Sequence, residues 1–374
     1  MKILMVLSNS FIVDPRVYKE AMSLSDAGHE VTVIFWDREA KYSSDEIVNN
    51  VRLIGIQTKG FMKMLPHDLF RNPFWWRKAY KKAMKLYENG YTFDVVHCHD
   101  LDTLQTGVWL KKHLNIRLVY DAHEIFGYMI ERTMPKFISM ISFQIEKILI
   151  EKVDQIITVN DSLKTFFSKI TAVPIEIVMN CGELATKTYL SPNTTIFAVS
   201  YFGILDSSRM FPQIVEYVGT INNIQFIIAG KKARLYTEVE QVSRKYNNVI
   251  FLGSIPYHQI IEKTLHCNAI LCMLDPSDKN NQVGLPNKIF EAMLTGRPVI
   301  VTKGLYYSEL VEAEKCGVSV NYDFEEVKKT IIMLRDNPKR CEELGKNGLN
   351  AAIREYNWEK QKETLLMVYK RMKA

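Results

Sequence analysis

Short apolar runs alternate with stretches of helical period along almost the whole chain. In the first half, strand-sized runs lie at Ile3–Leu7, Val31–Phe35, Val51–Ile56, Val95–Cys98, Leu118–Tyr120, Ile156–Val159 and Ile175–Met179. Helical stretches separate them, such as Val17–Ala27, which stops at Gly28, and Thr103–His113. From Ile196 the pattern restarts, with Ala198–Phe202, Gln225–Ala229, Val249–Leu252, Ala269–Met273, Val299–Val301 and Val318–Val320. Alternation of this kind predicts βαβ units and mainly parallel sheets, an α/β fold class. Between the halves, "ELATKTYLSPNTT" is polar, turn-rich and without period, and it reads as a linker. The expected division is a Rossmann-like domain at residues 1–184, a linker at 185–195, a second Rossmann-like domain at 196–356 and a final helix at 357–374. Two doubly wound domains place their ligand sites outside the carboxyl ends of the strands, facing the cleft between them.

Composition narrows the class. At 374 residues, each of two domains can bury its own core. The longest apolar runs fall far short of the roughly 20 residues that a membrane span needs. The N-terminal "MKILMVLSNS" lacks a cleavage-site pattern and reads as a first strand, not a signal peptide. The six cysteines are scattered, with no C-x-x-C pair, which predicts reduced thiols and a cytoplasmic compartment. A net charge of +6 does not call for nucleic acid, but its distribution is uneven. Between Phe61 and Gly90 there are seven Lys or Arg against two acids, interleaved with Phe74, Trp75, Trp76 and Tyr80. A helix from about Trp75 to Leu86 would put Lys78, Lys81, Lys82 and Lys85 on one face. Two readings stay open: a solvated basic face over a buried stripe, or attraction to an anionic membrane surface on the inner side of the cell membrane.

Candidate chemistry sits in the loops that leave strand ends. "DAHEIF" puts His123 and Glu124 just past one strand; the alternative for His123 is a bond to local backbone. In "GILDSSR", Gly203 permits a tight turn, and Arg209 opens the next helix as a phosphate ligand or as a solvated arginine. "AGKKAR" repeats the strand-to-glycine turn at Gly230, followed by Lys231 and Lys232. The stretch "LPNKIFEAMLTG" starts a helix at Pro286 and Asn287, with Lys288 in the first turn, where the helix dipole disfavours a cation. An anion bound at that helix start would make Lys288 tolerable, and Glu291, one turn on, could then accept from vicinal hydroxyls. A diphosphate flanked by a ribose has that shape. The alternative is an i,i+3 ion pair on an exposed face.

"PNKIFEAMLTGRPVIVT" resembles the nucleotide-sugar-binding motif of glycosyltransferase family 4, retaining enzymes of GT-B fold, and in particular the subgroup with P-N-K-[LI]-F-E-x-M. "DPRVYKEAMSLSDAGHEVTVI", "FDVVHCHDLDTLQTGV", "LVYDAHE", "FLGSIPY" and "YNWE" are similar to further signatures of that subgroup. The resemblance implies a GT-B architecture whose last helix crosses back to the first domain. It implies an acceptor-side first domain and a donor-binding second domain. Glu291 would bind ribose hydroxyls, Arg209 the diphosphate, and His123 the donor sugar. Pro286, Asn287, Gly203 and Gly230 complete the donor set. Acceptor-side candidates are Asn9, Arg16, Asp100 and Glu124; for Arg16, an ion pair with Asp14 is the alternative.

Two departures from the family pattern stand out. The first of its usual pair of glutamates falls at Val283, and an arginine of the first second-domain loop is replaced by Ile204. Lys288 is expected to supply the missing phosphate charge. The implied activity is retaining transfer of a hexosyl or N-acetylhexosaminyl group from a UDP-sugar or GDP-sugar to a saccharide acceptor, lipid-linked or of the cell envelope. No cofactor and no metal are required if the cations stabilise the leaving group. Alternatives are a nucleotide-sugar-binding protein with weak turnover, and a nucleotide-sugar epimerase. "HCHDLD" also resembles the ligand run of binuclear metallohydrolases but lacks its third histidine, and no G-x-G-x-x-G follows Leu7, which counts against a dinucleotide oxidoreductase.

Overall fold

Apolar runs that are buried on both faces belong in the middle of parallel sheets, and the strands follow that rule. The computed structural model describes residues 1–11, 14–58, 61–65, 68–192 and 195–373; positions 193–194 of the expected linker lie outside them. The first sheet contains β1 (Lys2–Leu7), β2 (Glu30–Asp37), β3 (Glu46–Val48), β4 (Val51–Gln57), β5 (Val95–His99), β6 (Arg117–Ala122), β7 (Gln155–Thr158) and β8 (Ile175–Ile177). Its order is β3-β4-β2-β1-β5-β6-β7-β8, and every pairing is parallel except β3 with β4. The second sheet contains β9 (Phe197–Phe202), β10 (Ile224–Ala229), β11 (Val249–Phe251), β12 (Ala269–Cys272), β13 (Val299–Thr302) and β14 (Gly317–Val320), in the order β11-β10-β9-β12-β13-β14.

In both sheets the winding reverses between two central neighbours, β1 and β5 in one, β9 and β12 in the other. Loops leaving such neighbours diverge and open a crevice at the carboxyl edge. Each half of the chain therefore has one natural place for a ligand. The chain divides into two compact units, Met1–Met179 with Lys362–Ala374, and Asn180–Gln361. The last helix, Trp358–Lys373, thus ends in the first unit, where Leu365, Val368 and Tyr369 are buried. The second unit's core gathers Val199, Ile214, Phe226, Leu271 and Ile300 with Ile331 and Leu344 from its last helices.

The alternation pattern does not reveal β3, a three-residue edge strand whose side chains are at most partly buried, so no apolar periodicity marks it. The basic helix is also longer than the pattern suggests. It runs Asp68–Glu88, through Pro73, which removes one backbone donor without ending the helix. Trp75 is fully buried and stacks on Trp36 with centroids 5.3 Å apart. The Trp76 indole donates to the carbonyl of Asp102 at 2.5 Å. Tyr80 meets Trp109 edge-on. Those aromatics belong to the unit's own packing. Lys78, Lys81, Lys82 and Lys85 do share one face, and they line a shallow groove of about 400 Å³ with Ser44, Gly55, Ile56 and Gln57. The Trp36–Trp75 stack makes a direct prediction: Trp75→Ala should destabilise the protein by about 3–5 kcal/mol, read from urea unfolding. A loss under about 1 kcal/mol would mean the site collapses around the missing ring.

Candidate functional site

At the carboxyl edge of the first sheet, polar side chains converge in a core that is otherwise apolar. Arg16 enters from the Pro15–Asp26 helix that follows β1. Its guanidinium is buried and grips the Asp121 carboxylate with Nε at 3.1 Å and Nη2 at 2.7 Å. Nη1 donates to the carbonyl of Val178 at 2.6 Å, and Nη2 lies 3.1 Å from Glu20. Asp14, the expected local partner, caps its own helix by accepting from the amide of Val17, and the buried Arg16 pairs with Asp121 and Glu20 instead. Despite the opposing effect of burial, Arg16 and then His123 hold Asp121 well below the usual carboxylate range. Burial pushes the Glu20 carboxyl upward, against Arg16.

His123 bridges two carboxylates. Its Nδ1 lies 3.2 Å from Asp100 and its Nε2 3.2 Å from Asp121, while its amide donates to Asp100 at 3.0 Å. With a carboxylate beside each ring nitrogen, the geometry suits a doubly protonated ring that donates on both sides. Burial disfavours that charge, but Asp100 and Asp121 outweigh it and raise the pKa to about 10. Asp100 itself is pushed up to about 7, by burial first. Its backbone sits at φ 60°, a left-handed conformation that costs a non-glycine residue about 1–3 kcal/mol. Glu124, next to His123, is exposed, and so is Asn9 after β1, whose side chain accepts from the amide of Ser10.

His97 and His99 stack with centroids 4.4 Å apart, and burial lowers both below the ordinary histidine value. Nδ1 of His97 shares a 2.7 Å hydrogen bond with the hydroxyl of Tyr369 from the last helix. Ligand-type atoms of Glu20, His97, His99 and Asp121 lie within 4.8 Å of one another, as a metal site would require. Arg16 already gives both carboxylates a cation, however, so this donor set does not favour a metal ion.

The second unit's crevice is cationic and aromatic. Arg209 lies in a short 3-10 turn, Ser207–Arg209, and does not open a helix, because Met210 adopts a left-handed conformation and the next helix begins at Gln213. The Arg209 guanidinium pairs with Asp206, which also accepts from the Ser208 hydroxyl at 2.7 Å. Asn287–Thr295 is a helix whose N-cap, Pro286, offers no side-chain acceptor to its first-turn amides. Lys288 and Glu291 do not form a pair on an exposed face. Glu291 is 6% exposed, and the Lys288 ammonium lies over the Tyr201 ring, 4.6 Å from its centroid. Burial lowers the Lys288 pKa. Gly203 leaves room for that ammonium, since a Cβ there would collide with Nζ. A Cβ on Gly230 would meet the Gly203 carbonyl at 2.6 Å, so the two strand-end turns touch only as glycines. Lys231 and Lys232 are exposed, Ile204 is half exposed, and Val283 is partly buried.

Asp121, Glu20, Tyr369, Tyr201 and Asp206 carry no motif that singles them out. The available signals were an aspartate at a strand end in "VYDAHE" and an acid three residues before Arg209.

Two family models cover most of the chain: Glycosyltransferase Family 4 over residues 15–181 and Glycosyl transferases group 1 over residues 199–337. No curated protein matches it. Among solved structures it resembles sucrose-phosphate synthase from Thermosynechococcus elongatus, with a TM-score of 0.80 at 19% identity over 100% of this chain and 99% of the other. It is also similar to Anabaena HepE in complex with UDP-glucose, with a TM-score of 0.73 at 15% identity over 99% and 100%. A third is trehalose-6-phosphate synthase, studied with bisubstrate glycomimetics for glycosyl transfer with retention, with a TM-score of 0.68 at 12% identity over 98% and 99%. Such likenesses are of fold, and the fold is GT-B.

The His123 geometry sets a pH expectation. A raised folded pKa means stability that is full below the ordinary value of 6.5 and is lost as pH rises through about 10. Imidazole NMR shifts should report His123 as doubly protonated at pH 8, and Asp100→Asn should lower its pKa. A neutral ring at pH 7 in the wild type would contradict the two-carboxylate bridge.

Proposed function

Since the chain belongs to the glycosyltransferases of GT-B fold, we propose that it transfers a sugar, with retention, from a UDP-sugar or GDP-sugar to a saccharide acceptor, lipid-linked or of the cell envelope. The observation that carries this reading is Lys288, a partly buried ammonium over the Tyr201 ring in the first turn of a helix that has no side-chain N-cap. A diphosphate at that helix start would meet backbone amides, Lys288 and Arg209 together. Glu291, buried one turn further, would accept from the ribose hydroxyls. Asp206 and Ser208 would hold Arg209 in place. The structures of HepE and of other neighbours carry UDP or UDP-sugars, which supports a nucleotide-sugar donor.

In the proposed step, the bond from the sugar's anomeric carbon to the diphosphate oxygen breaks as the acceptor hydroxyl oxygen bonds to that carbon on the same face. The hydroxyl proton passes to the departing phosphate oxygen. Charge develops on the diphosphate, so the cations of the second unit do the main catalytic work. This assignment needs no metal. His123 is the catalytic candidate of the first unit, and as an imidazolium it would donate hydrogen bonds to sugar oxygens and not act as a base.

A second reading is favoured by Val283 and Ile204, which offer no polar side chain where the family pattern has a glutamate and an arginine. On that reading the protein binds a nucleotide sugar with little turnover. A thermal-shift screen of nucleoside-diphosphate sugars, followed by turnover with the best donor, separates the two.

Three substitutions test the roles. Glu291→Ala removes charge-assisted bonds worth about 1.5–3 kcal/mol each and should weaken donor binding at least about tenfold. Arg209→Ala and Lys288→Ala should each lower kcat by about two to three orders of magnitude. If only KM moves, those cations act in uniform binding. If Lys288→Ala keeps the wild-type rate, Lys288 is a packing residue.

A further inference from the structure

The helix Lys136–Ile150 buries polar side chains and exposes a run of apolar ones, while Phe143 packs inward against Tyr128 and Phe166. Its inward face carries Ser139, Ser142 and Glu146, all buried, with Leu149 and Ile150 at the end. The Ser139 hydroxyl donates to the carbonyl of Gly127, Ser142 to the carbonyl of Ser139, and Glu146 accepts from the Tyr120 hydroxyl at 2.6 Å. Its outward face carries Phe137 at 60% exposure, Met140 at 67%, Ile141 at 52%, Ile145 at 40% and Ile148 at 56%. A surface helix normally turns its apolar stripe to the core and its polar residues to water. Scattered exposed apolar residues need no explanation, but a contiguous face of this kind marks an interaction surface. Folding of this unit alone gives no reason for five large apolar side chains on the wet side.

Charge says what covers it. Lys136 and Lys147 are exposed and, eleven residues apart, fall within about 20° of each other along one flank of the apolar arc. Arg132 and Lys152 are exposed just beyond the two ends, against one exposed acid, Glu151. An antiparallel two-fold pairing of copies through this face would set the same flank against itself and bring like charges together. An anionic bilayer satisfies both parts, taking the apolar side chains into the acyl boundary and the cations at the headgroups. The helix also packs on Leu101–Leu114, which packs on Asp68–Glu88, so the groove lined by Lys78, Lys81, Lys82 and Lys85 belongs to the same helical layer.

We propose that the outward face of Lys136–Ile150 is a docking surface for an anionic lipid bilayer, entered by Phe137, Met140, Ile141, Ile145 and Ile148 and flanked by Lys136 and Lys147. The surface stands on its own geometry and does not depend on the transfer reaction. Sedimentation with vesicles of phosphatidylcholine, alone or mixed with phosphatidylglycerol, tests it. The full chain should bind the mixed vesicles, and salt should weaken the binding without abolishing it. Because the residues are exposed, the combined Phe137→Ser, Ile141→Ser and Ile148→Ser variant should fold normally by circular dichroism and lose at least about tenfold in vesicle affinity. Lys136→Gln with Lys147→Gln should weaken binding about fivefold per lysine at low salt and little at high salt. Nucleotide-sugar binding, measured on the same variants, should be unchanged, so a failure of the donor assignment would show separately. The proposal is overturned if the wild type ignores phosphatidylglycerol vesicles at low salt, or if the serine variant binds them as well as the wild type does. Loss confined to a Lys78, Lys81, Lys82 and Lys85→Gln variant would move the lipid contact to the other helix. If the vesicles are ignored and ultracentrifugation shows a dimer that the serine variant dissolves, a second copy covers the face instead.

Discussion

The first unit is organised around the ion pair between Arg16 and Asp121. Neither side chain can be buried alone, since an unpaired charge in an apolar core costs several kcal/mol. Arg16 comes from the helix after β1 and Asp121 from β6, with β5 lying between those strands. The pair therefore closes the crevice where the sheet's winding reverses. Asp121 also faces His99 at 3.3 Å and His123 at 3.2 Å, so one carboxylate fixes the orientation of two rings. Through the stacked His97 the network reaches Tyr369, and with it the last helix of the chain. Removing one member of such a pair usually costs about 3–5 kcal/mol, because the partner is left charged and buried.

The second unit solves a different problem with the same topology. Its crevice gathers Arg209 and Lys288 with few counter-charges, and Asp206 engages only the arginine in an ion pair. The ring of Tyr201 takes the place of a carboxylate beside Lys288, and a cation over a π-face keeps its charge available to an incoming anion. Carboxylates dominate one crevice and cations the other, which matches a division between polar sugar hydroxyls and a diphosphate in the proposed reaction.

Much of this was legible in the sequence, for identifiable reasons. The central strands β1, β2, β9 and β13 are predominantly apolar runs, so length and composition locate them within a residue or two. The short exposed β3 carries no such signal. At the sites, the limit is sequence distance. Asp14 is the nearest acid before Arg16 and invites a local pairing, yet the true partner lies 105 positions away. Tyr369 meets His97 across 272 positions, which no periodicity encodes. The oddity at Lys288 was visible because it violates a local rule, a cation at the positive end of a helix. Local rule-breaking is what a sequence displays best, and its partners, Tyr201 and Gly203, are what it hides.

Partial desolvation of Lys288 would also link its charge to the diphosphate of the proposed reaction. With no anion present, desolvation weighs against the ammonium and lowers its pKa. A diphosphate at the helix start would reverse that balance, since an opposite charge within about 4–6 Å favours the protonated form. The ammonium would then be most strongly held when the phosphate carries most charge, which in the proposed reaction is after the sugar has left. An interaction that strengthens as the bond breaks lowers the barrier, whereas one equally strong before and after only tightens binding. The helix start that looks unfavourable in the free protein is on this argument a site whose stabilisation is deferred to the moment of transfer.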